Sequence, residues 1–177
     1  MNTPLSDATL DRVLDRLCDV SAAIGGTVLV AIACVTVVSV VGRAFFSHPI
    51  LGDIELVQLG CAVVVASFLP YTQHRRANIM VDFFTAHASM RTQRLMDTFG
   101  TLLYTIVMAL ILWRVAVGGI DIKAAGERSM LMDIPLWLPY TLMLPGLALC
   151  VAIGARQTLV QIRTALHTEA HHEGEAA

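Results

Sequence analysis

VSAAIGGTVLVAIACVTVVSVVG, residues 20–42, contains no Asp, Glu, Lys or Arg. Crossing about 30 Å of hydrocarbon takes roughly 20 mostly apolar residues in a helix, so this stretch alone is a membrane span. Working outward, three more uncharged runs follow: Leu56 to His74, Thr98 to Trp113 and Ile134 to Ala155. The third reaches full length once Arg114 extends to the interface and the helix continues to Gly119. The composition agrees, with 56% hydrophobic and 15% charged residues, unlike the balance of a water-soluble domain. The predicted fold is therefore an all-α membrane protein with four transmembrane helices, over about 20–42, 55–74, 97–119 and 134–156, forming a single domain across 1–177.

Little chain is left outside those spans, so no separate catalytic domain is accommodated. A net charge of −2 with 12 basic residues scattered among the connections gives no footprint for nucleic acid. The basic residues set the orientation instead. With the N-terminus in the cytoplasm, Arg12, Arg16, Arg75, Arg76, Arg91, Arg94, Arg156 and Arg163 lie inside, against Arg43, Lys123 and Arg128 outside. That bias places both termini in the cytoplasm. The approach to the first run is mixed in charge, and the run exceeds an ordinary signal core, so it is expected to stay as a span.

Around the spans, residues 1–19 carry Leu10, Val13, Leu14 and Leu17 at helical spacing opposite a charged face. This reads either as a short amphipathic interfacial helix or as the start of the first span. A second interfacial segment is expected at Ala77 to Phe84, bracketed by Arg75, Arg76, Arg91 and Arg94, whose guanidinium groups suit lipid phosphates. Residues 167–177 read as a flexible, polar cytoplasmic tail whose His167, His171 and His172 are solvated rather than metal-bound. Gly146, Cys150 and Gly154 on the fourth span, and Ala22 and Gly26 on the first, have the small-residue spacing that lets helices approach closely. Pro139 and Pro145 are expected to bend the fourth span. Cys34, Cys61 and Cys150 lie within spans and no CxxC occurs, so they read as small packing residues, without disulfide or zinc.

Function is narrowed by what the spans lack. A pump or carrier holds ionisable groups near mid-membrane, and none is present here. A b-type haem needs facing histidines inside helices, yet His48, His74 and His87 fall at span ends or in connections. No nucleophile, base and orienting group converge, so neither enzyme activity nor a cofactor is expected. An accessory or scaffold subunit remains. The alternatives are a membrane-anchor subunit of a redox complex and an independent small transporter or channel, the latter needing more polar residues than Thr36, Ser39 and Ser67 supply. At the outer level of the first two spans, Arg43 and Glu55 either clamp that helical hairpin, cap a helix end, face a partner, or sit plainly in the interface.

Several ordered motifs go further. Val41-Gly42-Arg43 closes the first span, and Pro49-Ile50-Leu51-Gly52-Asp53-Ile54-Glu55 opens the second. Arg75-Arg76-Ala77-Asn78-Ile79-Met80-Val81-Asp82 follows it, and Gly126-Glu127-Arg128-Ser129 with Asp133-Ile134-Pro135-Leu136-Trp137 and Tyr140 precedes the fourth. From about Cys18 to Arg163 the chain resembles the small membrane subunit of the tripartite ATP-independent periplasmic (TRAP) transporters. It departs from that pattern where the family often has a Trp followed by paired acids, here Gly52, Asp53 and Glu55, and where Asn78 replaces a His. The resemblance implies an inner-membrane subunit that braces a large transport subunit during ion-driven, usually sodium-driven, uptake of an organic acid captured by a periplasmic binding protein. It implies structural or partner-contact roles for Arg43, Glu55, Asp82 and Glu127. Docking of the binding protein would fall to Asp53, Asp121, Lys123, Arg128 and Asp133.

Overall fold

A computed structural model describes the backbone of residues 5–46, 50–75 and 90–174, and the side chains of 11–45, 50–75 and 96–161. Four helices make up the described chain: α1 (Leu5–Phe46), α2 (Asp53–His74), α3 (Met90–Ala125) and α4 (Trp137–Gly174). Each contains a segment long and apolar enough to cross a membrane: Asp11–Phe45, Asp53–His74, Met96–Ala125 and Trp137–Gln161. The helices exceed the apolar runs because nothing stops them at the run ends. α1 passes unbroken through the segment read as an amphipathic approach, and α4 stays helical through 167–174, since neither extension holds a Gly or Pro before Gly174.

The helices pack in the order α1, α2, α4, α3, with α1 approaching α4 only slightly. Positions 18, 21, 25, 32 and 39 of α1, separated by three, four, seven and seven residues, lie on one stripe, the spacing that keeps a helix seam facing its neighbour. Against it, α2 sets Gly60 under the Ile32 side chain and Ser67 beside Gly25, close enough that a Cβ on either glycine would overlap its neighbour. The close approach on α1 is thus Gly25, whereas Gly26, flagged by the small-residue spacing, has open space around it. On α4 the small stripe serves two neighbours. Gly146 lies on the Ala66 carbonyl of α2, Gly154 on Thr105 of α3, and Cys150 is fully buried between them with Met108 and Leu147.

Proline sets part of this packing. Pro70 inside α2 has no N–H, so the Ala66 carbonyl loses its usual helical donor, and it is this oxygen on which Gly146 is seated. A Cα–H donor at such a crossing is a recurrent helix–helix contact. Pro145 lies inside α4, but Pro139 falls in its first turn, where no N–H partner is required, so only Pro145 occupies a bending position. The fourth helix begins at Trp137 instead of residue 134, because Ile134 to Leu136 belong to the preceding connection. Cys34 and Cys61 face outward; the packed cysteines are Cys18 and Cys150. Val30, Val37 and Ile106 also point outward and are more than half exposed, as expected of surfaces that meet hydrocarbon or another membrane helix.

Candidate partner-docking site

α1 and α2, and α3 and α4, are antiparallel neighbours, so both short connections lie at one end of the molecule, here termed the hairpin end. α3 stops there in a Schellman motif. Gly126 takes the left-handed conformation (φ 68°), its N–H reaches Lys123 O at 3.3 Å, and Glu127 N–H reaches Ile122 O at 3.3 Å. The chain then folds back on itself. Ser129 N–H donates to Ile134 O at 2.9 Å and Leu136 N–H to Glu127 O at 3.2 Å, giving a two-armed loop with Arg128 paired against Pro135. The Arg128 guanidinium bridges to the Asp133 carboxylate at 2.6 Å, and Asp133 itself turns the chain at φ 54°.

Glu55 fastens this loop to α2. Its carboxylate accepts a hydrogen bond from the Ser129 hydroxyl and from the backbone N–H groups of Leu131 (3.1 Å) and Met132 (3.3 Å). Consecutive backbone donors converging on one anion form a nest, here filled by an internal side chain. The fit depends on Gly52, which precedes α2 in the left-handed conformation (φ 84°) with the Met132 side chain against its Cα. A side chain at this position would be both strained and displaced by Met132. The loop therefore seats on the start of α2 through a charged and an apolar contact together.

Arg43 does not meet Glu55. Its guanidinium is 3.8 Å from Asp53, whose carboxylate also accepts from the Ser39 hydroxyl and from Ile54 N–H at 2.8 Å. Two acids two residues apart point to opposite sides of the helix start, Asp53 toward α1 and Glu55 toward the loop, so the two expected partners are divided between them. Lys123 lies over the Trp137 ring at 5.1 Å, joining the end of α3 to the start of α4, and Asp121 is exposed two residues earlier. Glu127 and Arg128 border a cleft of about 440 Å³ between the loop and α2. The structure thus gathers Asp53, Glu55, Lys123, Glu127, Arg128 and Asp133 at one end. Asp82 and Arg76 lie outside the described residues, Arg91 and Arg94 have no described side chains, and Arg75 packs over the Tyr71 ring at 5.3 Å at the opposite end.

That opposite end holds a second set of polar contacts that the sequence reading missed. Asp11 pairs with Arg156, His74 Nε2 is 2.6 Å from Asp15, and Gln73 donates to Gln157 at 2.9 Å. Together they draw α1, α2 and α4 to one point, where the buried Cys18 thiol also meets the Pro70 carbonyl at 3.8 Å. The legible signal was the four-residue spacing of Asp11 and Asp15, which places two acids on one face of α1 at the level where His74 and Arg156 end the uncharged runs.

Four helices long and apolar enough to cross a membrane, with the ion pairs among the described residues at their two ends, have the architecture of a multi-pass membrane component. Residues 32–164 match the family described as tripartite ATP-independent periplasmic transporters, DctQ component. The chain belongs to that family, the small subunit of TRAP transporters, which is a transporter component family and not an enzyme family. No curated protein and no solved structure matches it.

Proposed function

We propose that the chain braces the large membrane subunit of a TRAP transporter in the bacterial inner membrane and, at its hairpin end, helps dock a periplasmic binding protein. The observation that carries this reading is the Glu55 nest within a chain of this family. A connection that would otherwise move is fixed to the start of α2 by a carboxylate, and that suits a surface offered to partners more than a moving carrier element. The eight-to-three distribution of basic residues supports a hairpin end in the periplasm with both termini in the cytoplasm. Asp53, Asp121, Lys123, Glu127, Arg128 and Asp133 would then lie where a binding protein arrives, and charges of both signs there would steer its encounter. Arg75, Arg76, Arg91 and Arg94 would face the lipid phosphates of the inner leaflet.

In this reading the large subunit carries an organic acid inward on an ion gradient, sodium being the expected ion, while this subunit stays fixed. The test is reconstitution of all three components in vesicles. Sodium-driven uptake is expected only when this chain accompanies the large subunit and binding protein. Full uptake without it would remove the proposed role.

A further inference from the structure

Gln58 is the polar residue in the hairpin half of the side of α2 that neither α1 nor α4 covers. Ile54, Gln58, Cys61 and Val65 follow one another along that side and are all exposed. Ile54 and Val65 suit hydrocarbon, but an amide placed there gives up water and receives no hydrogen bond from a lipid tail. Gln58 lies about 4.5 Å further along the helix than Glu55, inside the uncharged run. Among the described residues nothing hydrogen-bonds its side chain. The 440 Å³ cleft opens beside it, with Glu127, Arg128 and Ser129 on the far wall.

The groups lining the cleft are already committed to different degrees. Arg128 is turned to Asp133, while Glu55 and Ser129 are bound to each other. What remains on offer is the Gln58 amide and the exposed Glu127 carboxylate. This set has an excess of acceptors and one negative charge, so it complements a cationic donor. The occupant must also cover the apolar residues that continue from Gln58 into the membrane. A soluble binding protein can reach the loop but not that stripe, whereas a membrane helix with a basic residue near its periplasmic end covers both.

We infer that the Gln58–Glu127 cleft receives a Lys or Arg side chain from a membrane helix of the large transporter subunit, with that helix lying along Ile54, Cys61 and Val65. This rests on the proposed role as a bracing subunit. The test places a photoreactive amino acid at Gln58 in the assembled three-component transporter, alongside Gln58→Leu, Glu127→Gln and Glu127→Lys variants. Crosslinking to the large subunit is expected. Each substitution should lower the amount of large subunit retained on the purified chain several-fold, Glu127→Lys most, with the chain's own level in the membrane unchanged. Crosslinks only to lipid or only to the binding protein would overturn the inference, as would unchanged retention in all three variants. A wild-type chain that retains no large subunit would overturn the bracing role itself, a result distinct from either of those.

Discussion

Glu55 acts as an internal ligand, and its removal should be felt in the loop rather than in the helices. In Glu55→Gln the amide oxygen still accepts one N–H, but the amide nitrogen faces a second donor from Leu131 or Met132 and one bond must open. Hydrogen exchange at Leu131 and Met132 is expected to quicken several-fold, while exchange in the α2 interior is unchanged. Arg43→Ala should leave those amides as they were, because Arg43 is 62% exposed and its partner is Asp53. Equal loosening in both variants would show that the two acids are not divided as described. A second contrast tests packing. Gly146→Ala drives a methyl into the Ala66 carbonyl and should destabilise the fold by about 1–3 kcal/mol. Gly26→Ala meets nothing within 4 Å and should be neutral or gain up to about 1 kcal/mol of helix propensity. Denaturation of the detergent-solubilised variants separates them. Small-residue spacing flagged Gly146 correctly and Gly26 wrongly, because spacing reveals that a face is smooth but not which neighbour lies against it.

Among the elements, the four helices were legible because an uncharged run of membrane length admits few other structures. The α3–α4 connection was not. Ile134 to Leu136 are as apolar as the span they precede, and only the return bonds from Ser129 and Leu136 show that they form the second arm of a loop. Pro70 was also passed over, since its consequence, a freed Ala66 carbonyl, matters only beside a helix that brings a glycine to it. The periplasmic side proposed for the loop rests on the basic residues of the connections, and labelling tests it. A cysteine introduced at Lys123 should react with an impermeant thiol reagent supplied from the periplasm, and one at Arg91 should not. Cys34 and Cys61 are exposed on the helices, so both variants are best made in a chain with these two replaced by Ala. Labelling at Arg91 alone would invert the molecule and move the Glu55-fixed loop to the cytoplasm.

For the whole molecule, the distribution of polar groups separates bracing from carrying. At one end stand Asp53, Glu55, Arg128 and Asp133, and at the other Asp11, Asp15, His74 and Arg156, each joined to a partner. Among the described residues between them, the buried polar side chains are few and mostly turned back on their own helix. The Ser67 hydroxyl donates to Val63 O at 2.8 Å and Thr158 to Gly154 O at 2.9 Å, so neither offers a step in a relay. A carrier of an anionic acid needs groups that compensate its charge at mid-membrane depth, and their desolvation is what makes such residues rare outside transport paths. The purified chain, reconstituted alone in vesicles with an imposed sodium gradient and an external organic acid, is therefore expected to show no uptake above protein-free vesicles. Adding the large subunit and the binding protein should produce it. Gradient-dependent accumulation by the chain alone, abolished when the gradient is collapsed, would mean that helices packed in this row assemble a path between copies, and the bracing role would have to be abandoned.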